Sequence, residues 1–221
     1  IVYKSTGSWY HVKSKDGEFH KCRMKGKFRI EGIRSTNPIA VGDKVMFDLE
    51  KKGDEETGVI KKILDRDNFI VRKSVNLSKQ IHIIASNIDQ VFLLITIDNP
   101  PTFPAFIDRF LVSTRAYRIE TILVFNKIDS YEIEQRAEVL YLKDIYEKIG
   151  YACVEVSSTE NKNVDTIKEL MTSKTSMFVG HSGVGKSTLV NAIEPTLNLK
   201  TKQISEQHKQ GQHTTTFAEM F

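Results

Sequence analysis

Eight residues, Gly180-His181-Ser182-Gly183-Val184-Gly185-Lys186-Ser187, have the G-x-x-x-x-G-K-S spacing that can cradle a chain of phosphates. Glycines at these intervals let the backbone curl so that successive N–H groups face phosphate oxygens, helped by the positive end of a following helix. Lys186 is placed to set its ammonium against the β and γ phosphates, and the Ser187 hydroxyl is placed to ligate magnesium. The context fits: Ser176 to Val179 reads as a strand before the loop and Thr188 to Ile193 as the helix after it.

The loop does not choose the base. A second motif, Asn126-Lys127-Ile128-Asp129, follows the apolar run Ile122 to Phe125, where a base-reading loop should leave a strand. An ionised Asp129 can accept the N1–H and exocyclic N–H of guanine, whereas adenine has no donors in that arrangement. Asn126 can tie this loop to the phosphate loop, and the Lys127 stem can lie over the base. Conventional GTPases carry the tetrapeptide after the phosphate loop, and here it comes before it. Because a pocket depends on positions in space, a chain with its strands rejoined in another order builds the same site, which reads as a circularly permuted GTPase.

Two further segments belong to the same reading. Ser157-Ser158 ends another strand and can bring N–H groups to the guanine O6; an ordinary strand-to-loop turn is the alternative. Gly211-Gln212-His213-Thr214-Thr215-Thr216 follows a polar stretch and resembles a switch segment, with Thr215 the expected second magnesium ligand beside Ser187. No Asp-x-x-Gly follows before Phe221. His181 and His213 are close enough in sequence to be considered for orienting water, but no catalytic residue is assigned.

These groups need a scaffold. From Leu77 onward, apolar runs at Gln90 to Ile97, Thr121 to Phe125, Ala152 to Val156 and Ser176 to Val179 alternate with helical periods at 104–117, 131–149 and 163–170. That alternation predicts a doubly wound, mainly parallel sheet with ligands at the carboxyl ends of its strands. Before it, runs at Val2 to Val12, Glu18 to Met24, Lys44 to Leu49, Gly58 to Leu64 and Phe69 to Arg72 predict five strands and a small barrel, of OB or SH3-like type. The fold class is therefore multidomain, β plus α/β, with a barrel at residues 1–74 and a permuted GTPase domain at 75–221.

Charge separates the two parts. Residues 1–74 carry 17 Lys and Arg against 11 Asp and Glu, and the remainder 15 against 17, within a net charge of +4. Lys21, Arg23, Lys25, Lys27, Arg29 and Arg34, with only Glu31 among them, form a stripe suited to a phosphate backbone, and a solvated strand face is the alternative. Trp9, Tyr10, Phe19 and Phe28 can stack on bases or fill the barrel. No run reaches the roughly 18 apolar residues of a membrane span, and the beginning of the chain lacks a secretory pattern, so a cytoplasmic protein with no membrane partner is expected. Two cysteines, Cys22 and Cys153, make neither a disulfide framework nor a zinc cluster. A nucleotide or small-molecule kinase, and a nucleic-acid-binding module with a regulatory guanine site, share these features.

The order of a small barrel, Asn126-Lys127-Ile128-Asp129, Ser157-Ser158, Gly180 to Thr188 and Gly211 to Thr216 resembles the RsgA (YjeQ) family of small-subunit-dependent GTPases. The resemblance implies an OB-fold barrel, guanine nucleotide and magnesium bound in the permuted domain, and slow hydrolysis stimulated by the small ribosomal subunit late in its maturation. It implies the bacterial cytoplasm and contacts with small-subunit ribosomal RNA. A monomer is expected, with the oligomeric state left open by the sequence. Family members continue into an Asp-x-x-Gly switch and a zinc-binding domain, so zinc ligands are expected outside this chain. Gln212 stands where many relatives have arginine.

Overall fold

The structure, a computed structural model, describes residues 1–24, 38–52, 55–73, 81–201 and 218–221. The expected positions Lys25, Lys27, Phe28, Arg29, Arg34 and the threonine switch with Thr215 lie outside the described residues. The chain forms two compact units, Ile1–Ile88 with Thr215–Phe221, and Asp89–Thr214.

In the first unit, β1 (Val2–Ser5), β2 (Trp9–Lys13), β3 (Phe19–Met24), β4 (Val45–Lys52) and β5 (Glu55–Ile63) form one sheet in the order β1-β2-β3-β5-β4. Alternation turns Val2, Tyr10, Val12, Cys22 and Ile60 inward to a shared core with Ile39. Among the described pairings of this sheet, β3 with β5 is parallel and the others are antiparallel. The segment before β4 returns to β1, where Val2 N donates to Asp43 O at 2.9 Å and Gly42 N to Val2 O at 2.8 Å. Five strands in this order, closed from first to fourth, are the Greek-key barrel of an OB-fold.

The closing segment is fixed by one buried carboxylate. Asp43, fully buried, accepts from Arg66 Nε and Nη2 at 2.6 Å each, from Ser86 Oγ at 2.6 Å and from Ala40 N at 2.8 Å. Removing one partner of such a pair typically costs about 3–5 kcal/mol, because a charge stays behind in the interior.

The five strands are not the five expected runs. Val2 to Val12 divides at a turn in which Gly7 has φ +83° and Thr6 N reaches Trp9 O, giving two strands instead of one. The run at 69–72, expected in the barrel, is β6 (Phe69–Lys73), which lies outside that sheet and pairs antiparallel with β7 (Ile81–Ser86), a strand the sequence pattern missed.

The second unit follows the expected alternation: β8 (Gln90–Ile95), α1 (Pro104–Ala116), β9 (Glu120–Phe125), α2 (Ile133–Lys148), β10 (Ala152–Glu155), α3 (Val164–Met171), β11 (Ser176–Val179) and α4 (Lys186–Ile193). The sheet order is β10-β9-β8-β11, all parallel. Successive residues of β8 and β9 serve opposite faces. Phe92, Leu94, Ile122 and Val124 pack on Val164, Ile167 and Leu189 of α3 and α4, while Leu93, Ile95, Leu123 and Phe125 pack on Ile107, Leu111, Val139 and Leu142 of α1 and α2. Both faces are therefore covered, and every strand points its carboxyl end the same way. The direction of winding reverses between β8 and β11, the switch point at which such sheets bind ligands.

Candidate guanine-nucleotide site

Asn126 leaves β9 beside the switch point and joins three loops. Its backbone N–H donates to Ile95 O at 2.9 Å, prolonging the sheet. Its side-chain Nδ2 donates to Val184 O of the phosphate loop at 2.8 Å, and its Oδ1 accepts from Ser158 Oγ at 2.8 Å and Ser158 N at 3.3 Å. With Asn126 only 1% exposed, these bonds satisfy an amide that burial would otherwise penalise.

The phosphate loop is shaped by close approach. Gly185 has φ +95°, and a Cβ there would collide with Asn126 Nδ2. Gly180 has φ +151°, and its Cβ would come within 2.7 Å of Leu94 O. Gly183 also lies in the left-handed region, and Val184 is fully buried in the core under the sheet, anchoring the loop. Lys186 Nζ donates to Gly180 O at 2.9 Å and His181 O at 2.7 Å, and burial lowers its pKa from the ordinary lysine value. Lys186, Ser187 and Thr188 open α4, whose first N–H groups have no intrahelical acceptors. Ser182 lies between these anchors, partly buried.

His181 packs its ring on Phe106 of α1, with centroids 4.0 Å apart. Burial and the neighbouring Lys186 charge push its imidazole below the usual histidine pKa, favouring the neutral ring. A neutral ring packed against Phe106 holds the loop in place without adding charge.

Around the tetrapeptide, Lys127 takes φ +65° and donates through Nζ to Asn99 O in the loop after β8. Burial lowers its pKa, opposed by the carboxylates of Asp98 and Asp129. Ile128 is buried and donates its N–H to Val156 O at 3.3 Å. Asp129 accepts from Thr159 Oγ1 at 3.2 Å. Burial raises its pKa, but hydrogen bonds from Ser157, the backbone and Thr159, with the Lys127 charge, outweigh burial and hold the carboxyl below its ordinary value. Asp129 is thus an ionised acceptor at neutral pH, the state that can receive two guanine N–H groups. Ser157, fully buried, contacts Thr159 Oγ1 at 3.1 Å and accepts from Glu160 N at 3.1 Å, which fixes the third loop.

Sequence reasoning missed Tyr131. Its hydroxyl donates to Asn126 O at 2.8 Å and accepts from Ile97 N at 2.9 Å, bridging the ends of β8 and β9. Burial pushes this phenol up to about 12, so it stays protonated and can donate. Thr159, Asn99 and Phe106 were also unflagged, since none stands at a motif position.

The residues fit a guanine nucleotide: a backbone cradle that a Cβ would fill, an ammonium at its mouth and an ionised carboxylate at the base-reading loop. Ser187 offers one hydroxyl for magnesium. Among the described residues, no group of three or more His, Cys, Asp or Glu could hold a metal ion. Cys22 is buried and Cys153 half-buried, both are free, and burial raises their thiols to about 11 and about 12.

In the first unit, Lys21 and Arg23 occupy the outward face of β3. Lys21 Nζ lies 4.4 Å from the Trp9 ring centroid, and Arg23 pairs with Glu50 at 3.3 Å. Phe19, 57% exposed, meets Tyr3 edge-on, and Lys13 approaches both rings. Tyr10 instead points into the barrel core.

The RsgA GTPase family model matches residues 63–221 and the RsgA N-terminal domain model matches residues 1–60. The chain is 67% identical over 220 residues to the small ribosomal subunit biogenesis GTPase RsgA of Christiangramia forsetii, covering all of this chain and 70% of that protein. It is 69% identical to the protein of the same description from Flavobacterium johnsoniae, covering 68% of it. The crystal structure of YjeQ from Thermotoga maritima superimposes with a TM-score of 0.70 at 30% identity, covering 99% of this chain and 71% of the other. YloQ, a circularly permuted GTPase, gives 0.61 at 29% identity, covering 88% of this chain and 63% of the other. A guanine loop locked to a phosphate loop that follows it in sequence, behind an OB barrel, agrees with these matches: the chain belongs to the RsgA family of circularly permuted GTPases.

Proposed function

We propose that this chain binds GTP between its guanine and phosphate loops and hydrolyses it during late maturation of the small ribosomal subunit in the bacterial cytoplasm. The observation that carries the reading is Asn126, whose three side-chain bonds hold the base-reading, serine and phosphate loops as one pocket. Relatives described as small ribosomal subunit biogenesis GTPases support the ribosomal role.

In this reading Asp129 selects guanine, the Lys127 stem lies along the base, and the Ser157-Ser158 turn meets its O6. The curled backbone from Gly180 to Gly185, with Thr188 in the first turn of α4, receives the phosphates. Lys186 turns its ammonium toward the β and γ oxygens, and Ser187, with Thr215, holds magnesium. Bound magnesium supplies positive charge where the transferred phosphoryl group develops negative charge. Residues 75–221 thus provide the nucleotide chemistry, and residues 1–74 provide the RNA-binding barrel, through Lys21 and Arg23 together with Lys25, Lys27, Arg29 and Arg34. Phe19, exposed, and Trp9, half-buried, lie beside cations and suit stacking on unpaired bases. The chain acts as a monomer, and the ribosome completes the water-positioning machinery.

The test is GTP hydrolysis with and without purified small ribosomal subunits. Stimulation by the small subunit and not the large one supports the proposal; equal rates in all three conditions overturn the ribosomal role. Base selection is tested separately with Asp129→Asn. Exchanging an acceptor for a donor should move preference toward xanthine nucleotides by about two orders of magnitude, and retained guanine preference would remove Asp129 from its role.

A further inference from the structure

One face of α2 contradicts the rule that a surface helix turns polar residues to water. Its inner face is ordinary, with Val139, Leu142 and Tyr146 buried against the sheet. On the outer face stand Ile133 at 87% exposure, Leu140 at 55% and Tyr141 at 66%, with Ala137 exposed between them. Their spacing, i, i+4, i+7 and i+8, lines them along one side of the helix, the pattern by which an amphipathic helix anchors in a partner's groove. A continuous apolar stripe of this kind differs from single exposed apolar residues, which need no explanation.

The charges beside the stripe say what fits it. Glu134 and Glu138 flank it and make no ion pair among the described residues. The cations of the helix are already engaged: Arg136 and Lys143 reach Glu155 at 3.3 Å each, and Lys148 holds Asp144 at 2.6 Å. The rim therefore presents uncompensated negative charge. Phosphate backbones are repelled from such a rim, whereas lysine and arginine side chains are drawn to it. The outward face of β3 has the opposite character, with Lys21 and Arg23.

We infer that the outer face of α2 docks a basic polypeptide segment of the small ribosomal subunit, its apolar side chains seated on Ile133, Leu140 and Tyr141 and its cations meeting Glu134 and Glu138. The inference rests on the ribosomal reading above. It adds a protein contact on the nucleotide-binding unit that no motif indicates. The docking helix begins two residues after Tyr131, whose hydroxyl bridges Asn126 and Ile97, so the occupied face lies next to the guanine loop in the chain.

The experiment measures binding of the 221-residue chain to purified small ribosomal subunits in the presence of a non-hydrolysable GTP analogue. Wild type is compared with Leu140→Ser/Tyr141→Ser and Glu134→Lys/Glu138→Lys, and GDP affinity reports that each variant keeps its nucleotide site. About tenfold weaker subunit binding by both variants, with GDP affinity unchanged, is the expected result. Tighter binding by the lysine variant would identify a phosphate-bearing partner and overturn the inference. Weakening by the serine variant alone would remove the basic character of the partner, and unchanged binding by both would remove the surface, in either case leaving the ribosomal reading intact. No binding by wild type would sink that reading, and this partner with it.

Discussion

The guanine loop and the outer face of the barrel both mount polar groups on β-strands, yet they are built on opposite principles. At the guanine loop, Asn126, Ser157 and Ser158 are buried; Asn126 and Ser158 bond across loops, and Ser157 bonds to Thr159 within its own. Among the described residues, no buried side-chain nitrogen or oxygen lacks a partner. On the barrel, Lys21 meets the Trp9 ring and Lys13 approaches the Phe19 ring, in or near water. Buried, mutually bonded groups act as a unit, since losing one strands the others, whereas exposed contacts act singly and weaken with salt. One region can therefore discriminate a base, and the other is suited to graded attachment.

The largest effect should come from Asn126→Ala. Deleting the amide leaves Val184 O and the Ser158 hydroxyl without their partner in the interior, costing about 3 kcal/mol or roughly a hundredfold in GDP affinity. Titration with fluorescent GDP measures it, and a loss below about threefold would show that the loops do not depend on one another. Next, Tyr131→Phe removes a single oxygen that bridges Ile97 N and Asn126 O, and should weaken GDP by about tenfold. Combined with Asn126→Ala it should cost about 1 kcal/mol less than the sum, the mark of a shared network. Strict additivity would place Tyr131 outside it. The smallest effect belongs to the barrel. Lys21→Ala should weaken single-stranded RNA binding only a few-fold, reduce the salt slope by about 0.7, and leave GDP affinity untouched. Loss of GDP affinity in that variant would erase the distinction between the two regions.

How legible each region was in the sequence follows from the same contrast. The phosphate loop and Asn126 to Asp129 could be read because their chemistry fixes residue types at fixed spacing, and the flanking strands are long apolar runs. Helices at Pro104–Ala116 and Ile133–Lys148 fell within the expected spans because their buried positions recur at helical intervals. Tyr131 was illegible: a phenol serves wherever it spans two loop ends, and nothing in local spacing marks that distance. The strand Ile81–Ser86 is hidden because its apolar residues merge into those leading to β8, although its partner β6 is the strand immediately before it in the chain. The barrel run from Val2 was read as one strand because the turn at Gly7 interrupts hydrogen bonding without interrupting the alternation.

The position of β11 beside β8 has a consequence for the order in which the molecule comes into being. Ser176 pairs with Gln90, 86 residues earlier in the chain, so the ribosome finishes the base-reading loop well before the strand that carries the phosphate loop. Strand pairing across such a separation must first overcome the entropy of closing a long loop, which makes β11 a late arrival in folding. In the proposed site a nucleotide spanning both loops would bind fully only after that arrival, and would then stabilise the inserted strand by mass action. Newly made chains should therefore mature faster where guanine nucleotide is plentiful, making the cellular GTP pool a folding aid as well as a fuel.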